Sequence, residues 1–166
     1  MADTDNQRKT FDIQFDVAAK ATGKMRTEAV VRLSQTGEEW EMVSDEGGFH
    51  GGEGTAPLPL AYFAIGTTSC RMTQFRAFAK RLNLAITDVE MASSFRWEAR
   101  QIGNAPYEGV PIGIDIDVSV QSKESESDLV NLLVKAQKGC FVEQIILKGF
   151  PIGHRLQINR GKWIDM

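Results

Sequence analysis

Phe11, Ile13, Phe15 and Val17 alternate with Asp12, Gln14 and Asp16, the period-two pattern of a half-buried strand. Residues 21–24 (Ala-Thr-Gly-Lys) read as a turn. Thr27, Ala29, Val31 and Leu33 then alternate with Arg26, Glu28 and Arg32, which predicts a second strand and a hairpin. Gln35-Thr36-Gly37 turns the chain again, and Trp40 and Met42 mark a short third strand. Residues 44–54 are Gly-rich and predict a flexible loop.

The pattern then changes. Between Glu53 and Arg71 there is no charged residue, the longest such run in the chain. Pro57 or Pro59 fits a first helical position, where a missing N–H costs nothing. After Cys70, the residues Met72, Phe75, Ala79 and Leu82 keep helical spacing, with Arg71, Arg76, Lys80 and Arg81 mostly off the stripe. A helix buried on all sides in its first half and amphipathic in its second is the expectation.

Downstream, Val89, Met91, Phe95, Trp97 and Ala99 predict a long strand with a bulge near Ser93. Residues 103–111 form a loop. Val110, Ile112, Ile114, Ile116, Val118 and Val120 give the strongest alternation in the chain, an antiparallel neighbour for that strand. Ser125 or Ser127 can cap a second helix carrying Leu129, Leu132, Leu133 and Ala136, with Gly139 as its C′ stop. Cys140 follows at once, then a short apolar segment (141–147) and a last strand around Leu156 and Ile158. This order is α+β with antiparallel sheets. An uncharged helix needs more cover than one small sheet provides, so a second subunit is expected to supply it.

With 166 residues, 42% of them hydrophobic, the chain can bury one sizeable core. A net charge of −3 with interspersed signs gives no nucleic-acid footprint. The first ten residues are polar, so no signal peptide is expected, and the expected location is cytoplasmic. The uncharged run, about 17 residues with two prolines, argues against a membrane span. Two histidines and two cysteines without a CxxC leave a metal site little to build on. His50, in its Gly-rich loop, reads as solvated, and Trp40, Trp97 and Trp163 as core or interface residues.

Three stretches together carry a resemblance: Gly52-Glu53-Gly54-Thr55 leading through prolines to a helix with Cys70; Cys140 after a helix rich in Lys and Ala, followed by Phe141-Val142; and the hairpin turn ending in Met25-Arg26. They resemble the OsmC-like family (osmotically inducible protein C and organic hydroperoxide resistance proteins) over most of the chain. The resemblance implies one OsmC-like domain over residues 1–166, with 1–9 a flexible N-terminus. Its fold would set antiparallel sheets around a buried central helix in an intertwined homodimer.

The implied function is a thiol-dependent hydroperoxide reductase in antioxidant stress response. Cys70 would attack the peroxide, Cys140 would resolve it to a disulfide, and Arg26 would hold the thiolate. The partners implied are an organic hydroperoxide and a dithiol reductant of lipoyl type, with no cofactor.

Two departures bear on that reading. The family's helix glutamate falls at Leu60, after Pro59, and nothing between Glu53 and Cys70 is acidic. Phe141 stands where a proline commonly follows the second cysteine. A thiol attacks peroxide as thiolate, and burial disfavours that form, so loss of the glutamate weakens the hold on Arg26. The competing reading is a non-catalytic dimer of the same fold that binds a small apolar ligand. For Cys70 and Cys140 the plain alternative is core packing.

Overall fold

The computed structural model describes residues 9–158 and 160–165; the expected flexible N-terminus lies, but for residue 9, outside the described residues. The chain divides into two compact units, the first ending at Phe63 and the second beginning at Ala64.

In the first unit, β1 (Phe15–Thr22), β2 (Arg26–Leu33) and β3 (Glu38–Ser44) form an antiparallel meander in that order. The ladders run from Phe15↔Leu33 to Thr22↔Arg26 and from Thr27↔Ser44 to Leu33↔Glu38. Gly23 and Gly37 supply the left-handed turn residues, at φ 58° and 73°, which a Cβ would resist. The first strand starts later than its alternation suggests. Beyond Leu33 the partner turns away, so the Ser34 N–H to Gln14 carbonyl bond (2.9 Å) is the last, and Phe11 and Ile13 precede the ladder. At the other end β1 runs through Thr22, which shifts the expected turn from residues 21–24 to 23–25. Phe15 and Trp40 meet on one face, ring centroids 6.4 Å apart. Both stay exposed, with Val17 beside them at 62%.

α1 (Pro59–Arg81) opens on Pro59 at its first position and has no acid in its first turn. It closes by a left-handed stop at Asn83 (φ 55°), where Leu84 N–H reaches the Ala79 carbonyl (2.9 Å) and Asn83 N–H the Lys80 carbonyl (3.3 Å). The side chain of Leu84 joins the core that this stop turns toward. The first half of α1 is not buried on all sides as expected: Leu60, Phe63 and Ile65 are exposed in the single chain. Arg71 also departs from expectation, because the buried stripe runs Thr67, Arg71, Phe75, Ala79 and includes it.

The second unit holds β4 (Ile86–Arg100) paired antiparallel with β5 (Glu108–Ser122), as the alternation predicted. No irregularity falls near Ser93, which pairs regularly with Ile116. The register shifts instead between Thr87 and Glu90, where Asp88 has φ 46°, and between Arg96 and Trp97, opposite Pro111. Proline lacks the N–H that a regular ladder needs there.

Ser125 caps α2 (Glu126–Gly139) by accepting from the Asp128 N–H (3.2 Å). The core joins Phe75 and Ala79 of α1 to Leu132 and Ala136 of α2, with Val89, Met91, Val118 and Val120 of the ribbon against it. Gly139 is the last helical residue rather than the C′ stop. A Cβ there would stand 2.6 Å from the Phe78 ring, so any side chain at this position would have to displace that ring. The apolar segment after Cys140 is a helix, α3 (Phe141–Lys148), closed by Gly149 at φ 57°. β6 (Arg155–Gln157) pairs with β7 (Trp163–Asp165), a strand the apolar pattern did not mark.

Candidate active site

Cys70 lies near the middle of α1, one residue before the buried Arg71, and is partly exposed. Beside it Thr68 fixes the helix to the ribbon: its hydroxyl bonds the Ala64 carbonyl (2.9 Å) and the Ser93 hydroxyl (3.0 Å). Cys140 occupies the junction of two helices. Its N–H donates to the Gln137 carbonyl (3.3 Å) as α2 ends, and its carbonyl accepts from Gln144 N–H (3.0 Å) as α3 begins. This double cap fixes the backbone and leaves the thiol fully buried. Both cysteines are free thiols, and Cys70 is near enough to act on the ionisation of Cys140.

The Cys140 thiol is pushed up to about 11. Burial is the main cause; the neighbouring Cys70 and the Glu143 charge add to it, while the Glu143 backbone N–H pulls the other way. At neutral pH Cys140 is therefore a protonated thiol. Glu143, on the first turn of α3, is itself raised above the usual carboxylate range. Burial raises it, and the Arg71 guanidinium and the Cys140 thiol partly offset that.

Arg71 Nη1 donates to Glu143 Oε2 at 3.0 Å, and both side chains are about nine-tenths buried. Arg71 Nε and Glu143 Oε1 are buried without a bonding partner. Both residues line a cavity of about 240 Å³ whose other walls include Thr67, Ile114, Ile116 and Ile146. Neither Arg71 nor Glu143 was singled out from the sequence. The available signals were Arg71 in the four-residue frame of Thr67, Phe75 and Ala79, and Glu143 as the lone acid of an apolar segment.

Arg26 belongs to the first unit, at the start of β2. Its Nη1 donates to Thr55 Oγ1 (2.9 Å), and its Nε lies 3.8 Å from Glu28. Thr55 in turn donates from its hydroxyl (2.8 Å) and its N–H (3.0 Å) to Asp45, which is buried. The Gly-rich loop is thus tied at both ends, with Asp45 also accepting from Glu46 N–H (2.9 Å). Those donors hold the Asp45 carboxyl below its usual range, the Thr55 N–H most of all. In the same loop His50 Nδ1 and Glu46 are 3.2 Å apart. Among the described residues there is no cluster of three His, Cys, Asp or Glu able to hold a metal ion. Among those residues, too, no helix is long and apolar enough to cross a membrane.

Comparison with known proteins accounts for this arrangement. The family model of the OsmC-like proteins matches residues 52–155, more than half of the chain, including both cysteines, Arg71 and Glu143 but not Arg26. The structure of an OsmC-like hydroperoxide resistance protein from Jannaschia sp. CCS1 is 36% identical, with a TM-score of 0.63. That match covers 93% of this chain and 98% of the other. An organic hydroperoxide resistance protein from Legionella pneumophila shares the fold at 19% identity and a TM-score of 0.55, over 84% of this chain and 91% of that one. An OsmC-like protein from Mycoplasma pneumoniae does so at 14% and 0.61, over 82% and 89%. No curated protein matches the chain. With its α+β order of elements and its two cysteines in these two settings, the chain belongs to the OsmC-like family.

Proposed function

We propose that this protein is a thiol-dependent reductase of organic hydroperoxides. The thiolate of Cys70 attacks the peroxide oxygen, the O–O bond breaks, and ROOH leaves as ROH with Cys70 as the sulfenic acid. Cys140 then condenses with it to a disulfide and water. A dithiol, of lipoyl type by the family resemblance, returns both thiols and is itself oxidised. The observation that carries this reading is the meeting of two free cysteines, one partly accessible and one sealed. Arg26 enters on the resemblance alone, as the charge that favours the Cys70 thiolate.

Thiols titrated before and after addition of an organic hydroperoxide test the reading. The expected result is the loss of two thiols per chain and of two hydrogens in mass. Two thiols surviving a molar excess of peroxide would overturn it. The same titration decides the second reading, a non-catalytic dimer holding a small apolar ligand. That reading is favoured by the absence of an acid in the first turn of α1.

The working unit of this proposal is a homodimer in the cytoplasm. The exposed Phe15, Val17 and Trp40 of the three-stranded sheet form a large apolar face on the single chain, of the kind a second copy covers. Sedimentation at micromolar concentration should give twice 18.4 kDa; a monomer would refute this part.

A further inference from the structure

The peroxidase reading leaves one step without an agent. Cys140 must lose a proton to attack, yet it is fully buried and protonated at neutral pH. Water does not reach it freely, so the proton needs an acceptor within the protein. One side chain meets the requirement. Glu143 lies one helical turn beyond Cys140, and its carboxylate is close enough to the thiol for each to act on the other's ionisation. One of its oxygens is taken by Arg71 at 3.0 Å; the other, Oε1, is buried and accepts no hydrogen bond. A buried carboxylate with one oxygen unused, one helical turn from a buried thiol, is a costly arrangement for packing alone.

We propose that Glu143 is the proton acceptor for Cys140 and that Arg71 is the positioning residue that aims it. The inference rests on the peroxidase reading for its sulfenic acid. As the Cys140 sulfur attacks the Cys70 sulfur, the S–H proton passes to the Glu143 carboxylate, the S–S bond forms and the S–O bond of the sulfenic acid breaks. Glu143 returns the proton to the departing hydroxide, which leaves as water. Cys140 is oxidised and the Cys70 sulfur reduced to the disulfide level, so no further oxidant is needed. The facing titratable groups are Arg71 and Cys70 from α1 and Cys140 from the helix junction. The guanidinium opposes the effect of burial on Glu143, and the raised pKa makes its carboxylate a better base than an exposed glutamate.

Two assays separate this inference from the reading beneath it. In the first, one equivalent of tert-butyl hydroperoxide is added and the sulfenic acid is trapped with a cyclic dione. Glu143→Gln should accumulate trapped sulfenic acid and form disulfide at least about tenfold more slowly than wild type, as expected of a lost general base.

The second assay uses no peroxide. A chromogenic aryl disulfide converts Cys70 to a mixed disulfide, and Cys140 then displaces the second coloured thiolate. That second phase should slow by a similar factor in Glu143→Gln. The gap should narrow as pH is raised toward the ionisation of Cys140 itself, which a merely structural role would not produce. Because Glu143→Gln strands Arg71, the pair Arg71→Met/Glu143→Gln repeats both assays with the buried charge removed.

Equal second-phase rates in wild type and in both variants overturn the inference and leave the peroxidase reading standing. Thiols inert to peroxide, with exchange still dependent on Glu143, overturn the peroxidase reading and leave the proton acceptor in place.

Discussion

Two buried carboxylates, Asp45 in the first unit and Glu143 in the second, are each joined to an arginine and behave in opposite ways. Asp45 accepts hydrogen bonds from the Thr55 N–H and hydroxyl and from the Glu46 N–H, with the Glu53 N–H adding to them, and is linked to Arg26 through the Thr55 hydroxyl. Its charge is fully supplied with donors, and its pKa falls. Glu143 has a direct arginine partner at 3.0 Å but only one oxygen satisfied, and burial outweighs the guanidinium, so its pKa rises. Donor supply, more than the presence of an arginine, decides the direction. A saturated carboxylate pins a loop. An undersupplied one keeps an acceptor free, and here it does so one helical turn from the Cys140 thiol.

The comparison breaks most sharply if one member of the buried pair is removed. Arg71→Met should cost about 3–5 kcal/mol, because it leaves the Glu143 charge buried without compensation. Removing both charges in Arg71→Met/Glu143→Leu should recover most of that loss, since apolar groups of similar volume replace a buried pair at little net cost. Urea denaturation of the three proteins measures this. A single variant within about 1 kcal/mol of wild type would show a pair that is solvated and worth no more than a surface one.

A smaller effect is expected where the arginine is relayed. If Arg26 holds the Cys70 thiolate as the resemblance implies, Arg26→Ala should slow alkylation of Cys70, in a Cys140→Ser background, by at least about tenfold, or 1.36 kcal/mol. Equal alkylation rates would leave Arg26 as the anchor of Thr55 and nothing more, and would remove it from the proposed mechanism.

Much of the fold was legible because each stretch carried one dominant period. The ribbon of β4 and β5, the meander, and α2 with Ser125 as cap follow from alternation or helical spacing. What escaped were features decided by tertiary geometry. Residues 141–147 are apolar at five of seven positions, and so short a run does not tell a strand from a helix; in the fold it is a helix that starts from Cys140. Gly139 looked like a helix stop, yet it is explained by the Phe78 ring of another helix. The register shifts of β4 lie at Asp88 and opposite Pro111, and the proline was visible in the sequence as a warning. At the site, the two cysteines were read from their contexts. Arg71 and Glu143 were not, because a charged residue on a buried stripe is assigned outward until its partner, 72 residues away, is known.

The finest test separates the two carboxylates by pH. Asp45 has a folded-state pKa below its unfolded value of about 3.9, so its contribution to stability is complete above that value. It is lost as pH falls through the lower, folded-state value. Glu143 has a folded-state pKa above its unfolded value of about 4.3, so the native state binds its proton more tightly than the unfolded chain does. Stability from this group is greatest below about 4.3 and declines as pH rises through the folded-state value. The two slopes have opposite signs on either side of pH 4, and they can be removed one at a time. Asp45→Asn should flatten the acid limb of a urea-midpoint profile while leaving the decline above it. Glu143→Gln should flatten that decline and leave the acid limb. If Glu143→Gln leaves the profile above pH 4 unchanged, the carboxylate is as well supplied with donors as Asp45, and the contrast between the two sites disappears.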